Sequence, residues 1–339
     1  MKTGVVCDRG CRRFLEAMDT RVGEKICVVL LTYNHVEVIE STLQSILDQT
    51  ITGYEVIVSD DCSTDGTWER ILEIAGREPR IKAIRTPHNL SMPGNANYAV
   101  AQTTRPYIAL LHHDDLYRKD LLEKWAEVLE RHSNVGFVFN RYGSPDPGKH
   151  DGPAFSEECM NGRWFLENYL LAGWGCPVRG TAMIPRAWWN RVGGMQERFN
   201  LIADVDLWMR LARQADVGYV AEPVIYVREL RPDYYPDTYT LKRFHWSRQV
   251  LLYEIHASNR LDYLALNTLK GRLRWWWFRV RLSCETTKWL TYAAVRKKRR
   301  HEILDYCLES VTPYDFPPLR VFRFLLRKLI RPLRPEDCR

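Results

Sequence analysis

The sequence predicts an α/β protein built on a mostly parallel central sheet, and three observations in its 339 residues carry that expectation. Short apolar runs alternate with amphipathic stretches from residue 26 to about residue 220, the order that covers both faces of a parallel sheet with helices. Two of the runs stop abruptly at paired carboxylates, Asp60-Asp61 and Asp114-Asp115. With 45% hydrophobic and 12% aromatic residues the chain has enough apolar material for one large core plus an appendage.

The elements follow in order. The apolar run Ile26 to Leu31 reads as a strand, and Val36 to Asp48 as a helix with Val36, Ile39, Leu43, Ile46 and Leu47 on one face. A strand at Glu55 to Val58 completes a βαβ unit. The pattern repeats with a helix Thr67 to Gly76, a strand Ile81 to Ile84, a helix Gly94 to Thr103 and a strand Tyr107 to Leu111. A helix Leu121 to Arg131 and a strand Val135 to Asn140 come next, and a turn-rich loop carries Pro145, Pro147, Gly148, Gly152 and Pro153. Trp164 to Leu171 reads as a helix, Gly173 to Pro177 as an irregular pocket wall, Asp204 to Gln214 as a helix and Val217 to Val220 as a strand. The expected division is a leader over 1–24, a catalytic domain over 25–235 and a basic, aromatic-rich helical extension over 236–339.

Ligands of such sheets bind beyond the carboxyl ends of the strands. The loops after Leu31, Val58 and Leu111 are therefore expected to share one crevice. Adjacent carboxylates at a strand end repel each other unless a cation or strong donor offsets the charge, which suggests a site for a phosphate with a divalent metal.

Composition excludes several classes. No run approaches the eighteen or so apolar residues of a membrane span, and the charged first 21 residues lack the apolar centre of a secretory signal, so an intracellular location is expected. Nine scattered cysteines with no CxxC pair argue against a disulfide framework or a zinc cluster. The net charge of +7 hides an asymmetry: residues 241–339 hold 22 Lys and Arg against 9 Asp and Glu, a net of +13, leaving −6 for the rest.

Four strings carry a resemblance. VVLLTYNH at 28–35, EVIVSDDCSTDGT at 55–67, YIALLHHDDLY at 107–117 and ADVDLWMRL at 203–211 resemble, in order and spacing, the family 2 glycosyltransferases. The resemblance covers about residues 25 to 230. It implies a GT-A fold, a nucleotide-sugar donor, a divalent metal (Mn²⁺ or Mg²⁺) and inverting transfer to a saccharide or lipid-linked saccharide.

Residue by residue, the resemblance lays Leu31, Thr32, Tyr33 and Asn34 against the base and ribose, with helix capping by Asn34 as the competing role. Asp61 would accept from a base imide N–H, favouring a UDP- or dTDP-sugar. Asn95 and Asn97 flank Ala96, where many relatives carry arginine, and would supply donor hydrogen bonds. Asp114 would be the metal ligand and Asp115 its orienting neighbour. Position 112, an aspartate in most relatives, is histidine here, and His112 and His113 would contact ribose or phosphate unless packed structurally. Asp204 would take the proton of the attacking hydroxyl, although Ala203 stands where relatives carry an acid. Trp174, flanked by glycines, and Trp208, on a helical segment where a core role competes, are candidate acceptor walls.

The basic extension points to an anionic membrane surface, and to attachment on the cytoplasmic membrane's inner face. Val321, Phe322, Leu325, Leu326, Leu329 and Ile330 share one side of a helix with Arg323, Arg327 and Arg331 on the other. Packing back on the catalytic domain is the alternative, and nucleic acid is not expected because no known binding motif appears. Two other functions compete: a sugar nucleotidyltransferase, which should show a glycine-rich triphosphate loop that Leu31 to Asn34 lacks, and a nucleotide-sugar-binding scaffold, motivated by the missing acids at 112 and 203.

Overall fold

A computed structural model describes residues 21–143, 150–151, 153–173, 175–228 and 243–295. The leader through residue 20, Trp174 and the helix expected over 321–331 lie outside the described residues. The chain divides into two compact units, Met1–Tyr234 and Tyr235–Arg339.

In the first unit β1 (Ile26–Thr32) is buried along its whole length, as expected of a central parallel strand covered on both faces. Helix α1 (Val36–Leu47) buries Val38, Ile39, Thr42, Leu43 and Ile46, a single stripe at helical spacing. Strand β2 (Glu55–Asp60), helix α2 (Thr67–Ala75) and strand β3 (Ile81–Arg85) follow. Helix α3 (Ser91–Val100) begins three residues earlier than the sequence suggests. Its Pro93 stands in the first turn, where a missing N–H breaks no helical bond. Strand β4 (Tyr107–His112) runs through a two-residue turn into the short β5 (Asp115–Tyr117), and α4 spans Leu121–Arg131.

The remainder departs further from the expected order. Strand β6 (Val135–Gly143) precedes two short strands, β7 (His150–Asp151) and β8 (Cys159–Met160), and helix α5 (Gly162–Phe165) continues into a wider turn over Leu166–Leu170. Strand β9 (Ala182–Pro185), helix α6 (Arg186–Val192), helix α7 (Ala203–Ala212) and strand β10 (Asp216–Val227) complete the unit. The sheet order is β3-β2-β1-β4-β9-β6-β10-β5, with β7 on β6 and β8 on β10. The sheet is mixed, since β9 lies antiparallel between β4 and β6 and β5 pairs antiparallel with β10. Strand β10 extends past the expected Val220 because register shifts around Pro223 absorb a residue that donates no ladder bond.

Register positions the site. Thr32 pairs with Asp60 across β1–β2, and Leu31 with His112 across β1–β4, so three strand ends reach one edge together. Beneath them Trp125, Phe137, Phe139, Phe165 and Trp208 are at most 1% exposed. Each such side chain contributes roughly 1.5–3 kcal/mol through burial, which makes the rim a rigid base.

The described residues of the second unit form helices α8 (Arg243–Tyr263) and α9 (Leu269–Val295). Among the described residues no helix is long and apolar enough to cross a membrane.

Candidate functional site

The first wall forms after β1 and β2. Asn34 takes a positive φ of 54°, a conformation asparagine tolerates better than most residues. Its amide donates to Ser63 Oγ at 2.9 Å and its Oδ1 accepts from the Thr64 amide at 2.9 Å. Asn34 thus staples two loops, and Leu31, buried at 6% exposure, reaches the rim through its backbone.

Asp60 and Asp61 divide their labour. Asp60 is fully buried, accepts from the Ser63 amide at 3.0 Å and pairs with Arg85 at 3.2 Å. Asp61 Oδ1 accepts from Thr86 Oγ1 at 2.9 Å and from the Leu90 amide at 2.7 Å, which fixes the carboxylate's direction. Burial pushes both carboxyls above the ordinary range, against the pull of these donors. Thr32 Oγ1, beside this pair, is buried without a hydrogen-bond partner, the condition of a group that awaits a ligand atom or a water.

The β4–β5 turn forms the floor. Tyr117 Oη accepts from the His112 amide at 2.9 Å and donates to the His112 carbonyl at 2.6 Å. Thr42 Oγ1 bonds the carbonyls of His113 at 2.8 Å and Asp115 at 3.1 Å. Clamped in this way, Asp114 and Asp115 stay 6% and 5% exposed. One ring nitrogen of His112 and one carboxylate oxygen from each of Asp114 and Asp115 lie within 4.8 Å of one another. This donor set fits a divalent cation, and its imidazole suits Mn²⁺ better than Mg²⁺.

His113 turns the other way. A carbonyl can only accept, so the 2.8 Å contact with the Leu31 carbonyl puts the proton on His113 Nδ1. Its Nε2 is sealed from solvent without a hydrogen-bond partner, and burial lowers the imidazole well below its ordinary value, which favours the neutral ring. It lies against His35 with ring centroids 3.6 Å apart and the ring planes tilted by 46°. His113 thus ties β1 to β4 and also groups with His35 and Asp114, one ligand atom of each lying within 4.8 Å of the others.

The third wall comes from α7 and the loop before β9. Asp204 stands in the first turn of α7, half-exposed between the buried Ala203 and Val205. Gly180 has φ +79°, and a Cβ built on it would sit 2.7 Å from His112 Nε2 and 3.4 Å from Asp204 Oδ2. Two side chains 92 positions apart in sequence thus face one point. Asp206, by contrast, is buried and pairs with Arg210 at 2.6 Å, and Arg210 donates to the Val192 and Gly194 carbonyls.

Three expected contacts are corrected. Asn95 is 2% exposed, accepts from Ser59 Oγ at 2.5 Å and donates to the Ser59 carbonyl at 3.0 Å, so its amide is spent inside the fold. Asn97 exchanges two bonds with the Met195 backbone, at 2.9 and 3.0 Å, and joins α3 to the segment before α7. Trp208 is fully buried with its ring 4.9 Å from that of Phe137. It is core, and no acceptor sugar reaches it. Gly180, Tyr117 and Thr42 escaped the sequence reading, because a lone glycine and two hydroxyls on backbone carbonyls leave no spacing signal.

Comparisons with known proteins bear on the family and the fold. The description "Glycosyl transferase family 2" matches residues 27–189. The chain is 34% identical over 197 residues to the putative teichuronic acid biosynthesis glycosyltransferase TuaG of Bacillus subtilis, covering 57% of this chain and 74% of that one. It is 28% identical over 249 residues to the putative glycosyltransferase EpsE of the same organism, covering 70% and 84%. The crystal structure of S. aureus TarS 1-349 in complex with UDP-GlcNAc superposes with a TM-score of 0.63 at 16% identity, over 89% of this chain and 87% of that one. That likeness shows a shared GT-A architecture, and the matches set aside the nucleotidyltransferase reading. The chain belongs to glycosyl transferase family 2 and is a glycosyltransferase.

Proposed function

We propose that this enzyme transfers a sugar, with inversion, from a UDP- or dTDP-sugar to a saccharide or lipid-linked saccharide acceptor in polysaccharide or glycoconjugate synthesis. The observation that carries the reading is the meeting of His112 and Asp204 at Gly180. A proton acceptor from one loop then stands beside the strand end whose carboxylates suit a metal-bound diphosphate.

Asp61, held by Thr86 and Leu90, accepts from the imide N–H of the base, and Leu31 to Asn34 form the surface under base and ribose. Asp204 removes the proton of the acceptor hydroxyl as its oxygen bonds to the anomeric carbon. The carbon–oxygen bond to the diphosphate breaks on the opposite face, so the anomeric centre inverts. His112 would hold the cation together with Asp114 and Asp115, leaving its other ring nitrogen for the departing phosphate. A divalent cation held by Asp114 and Asp115 would, when bound, neutralise charge on that diphosphate. Trp174 remains our candidate for the acceptor wall.

The teichuronic acid biosynthesis in TuaG's name and the UDP-GlcNAc bound in the TarS structure support a UDP-sugar donor and a saccharide acceptor. With a lipid-linked acceptor the enzyme would work at the inner face of the cytoplasmic membrane. The test is transfer from a panel of nucleotide sugars, with UDP binding followed by calorimetry. Asp204→Asn should abolish turnover yet bind UDP with Mn²⁺ as the parent does, and Asp114→Asn should lose the Mn²⁺-dependent part of that affinity. Parental turnover in both variants would overturn the assignment.

A further inference from the structure

The helical unit presents a surface that the transfer chemistry does not use. Helix α9 buries one face through Phe278 and Leu282, which are 6% and 0% exposed. The Arg260 guanidinium of α8 lies 4.3 Å above the Phe278 ring, and Trp275 stacks on it at 5.5 Å. At about 100° per residue, Leu269, Leu273, Trp276 and Trp277 fall on the opposite side. They are 67%, 51%, 42% and 63% exposed. Lys270, Arg274 and Arg281 run along one edge of this stripe, and Arg272 and Arg279 along the other. No Asp or Glu occurs from Leu269 to Cys284.

We propose that this stripe docks the enzyme on an anionic lipid bilayer, with Leu and Trp side chains entering the headgroup–acyl boundary and both basic edges resting on lipid phosphates. Leu at the centre, tryptophan beside it and arginine at the margins is the order of polarity an interfacial helix meets with depth. The stripe from Leu269 to Trp277 is about 12 Å long, far short of the ~30 Å hydrocarbon core, so the helix lies in the surface plane. Charge selects among occupants. A second copy would set basic edge against basic edge, and the tail expected over 321–331 carries Arg323, Arg327 and Arg331 of the same sign. Nucleic acid would satisfy the arginines but offers Leu269 and Leu273 no apolar partner unless its bases are unstacked. The proposal depends on neither the donor nor the acceptor assigned above, so the two can fail separately.

The experiment is co-sedimentation of the full chain with vesicles of phosphatidylcholine alone, or with about 30% phosphatidylglycerol, an anionic fraction able to attract basic segments. Binding should require the anionic lipid and weaken steeply with added salt. Leu269→Ser/Trp277→Ser should lower partitioning by at least tenfold. Lys270→Gln/Arg272→Gln should lower it about 25-fold, near fivefold per basic residue. UDP affinity and far-UV circular dichroism should stay parental in both variants, because all four side chains lie on or beside the exposed stripe. Parental partitioning in either variant, or equal binding to neutral vesicles, would overturn the proposal. So would tighter binding to duplex DNA that survives the apolar substitutions, or self-association that disappears with them.

Discussion

Replacing Gly180 with alanine tests whether the acid–base and leaving-group halves of the site share one rim. The added Cβ would lie 2.5 and 2.7 Å from the imidazole of His112, below any distance real Cβ atoms keep, but only 3.4 Å from Asp204 Oδ2. The ring is the far end of a side chain and can swing away, so the stability cost comes mainly from an L-residue at φ +79°. That cost is about 1–2 kcal/mol, or roughly 2–8 °C in melting temperature at 2–4 °C per kcal/mol for a domain of this size. Catalysis should suffer more. Moving a group about 1 Å from its working position costs on the order of 100-fold, and that loss should appear in kcat while UDP affinity, which the proposal assigns to Asp61 on another loop, changes little. Steady-state kinetics and UDP calorimetry on Gly180→Ala and His112→Ala, alone and combined, separate the contributions. If His112 mediates the effect, the double variant will be no slower than His112→Ala, because the two changes act through one contact. A parental kcat in Gly180→Ala would refute the shared rim, and additive losses would show that the alanine acts through another group.

Asp61 predicts a pH dependence with opposite signs for binding and stability. Burial raises its carboxyl, so the fold gains most below the unfolded-state pKa and loses that gain as pH rises through the folded value, whereas base recognition needs the ionised form and fades as pH falls through it. UDP titrations from about pH 4 to 7 should show affinity falling at higher pH than an ordinary aspartate would give, and Asp61→Asn should flatten the profile with a neutral-pH melting temperature no lower than the parent's. Trp208→Ala should cost about 3–5 kcal/mol in urea unfolding because it empties a core position against Phe137; a raised acceptor KM with unchanged stability would instead return Trp208 to the acceptor site. His112→Asp exchanges an imidazole for an oxygen ligand and should lower the ratio of Mn²⁺- to Mg²⁺-supported activity, an expectation that an unchanged ratio would remove.

The sequence was most informative where periodicity and local burial coincide. From Ile26 to Arg131 each predicted helix and strand is present, since two-sided burial demands unbroken apolar strands and one-sided burial demands a helical stripe. It was least informative where pairing is non-local. The four-residue β9 carries no alternation to betray that it inserts antiparallel beside β4, and Pro223 hides the continuation of β10. The site divides in the same way. Asp61, Asp114 and Asp115 stand at the ends of legible strands, and Asp204 at the start of a legible helix. Asn95, Asn97 and Trp208 were misread because their polar or aromatic chemistry serves the interior, a distinction set by what packs against them.

The His-His-Asp-Asp string shows how one short motif serves two surfaces at once. His112 is the last residue of β4 and His113 the first of the turn that follows, so the backbone changes direction between them. His112 accordingly faces Asp204 across Gly180, while His113 faces back toward His35 and the Leu31 carbonyl. Its Nδ1–H therefore joins the ends of β1 and β4, the two strands that must keep their spacing if base and diphosphate are to be held together. Thr42 and Tyr117 fix the same turn through its backbone, independently of side-chain identity at 112. The backbone of the turn is thereby held without calling on the side chain at 112. An imidazole can stand there in place of a carboxylate without moving Asp114 or Asp115, and the exchange alters the charge and ligand type of the rim while leaving its geometry intact.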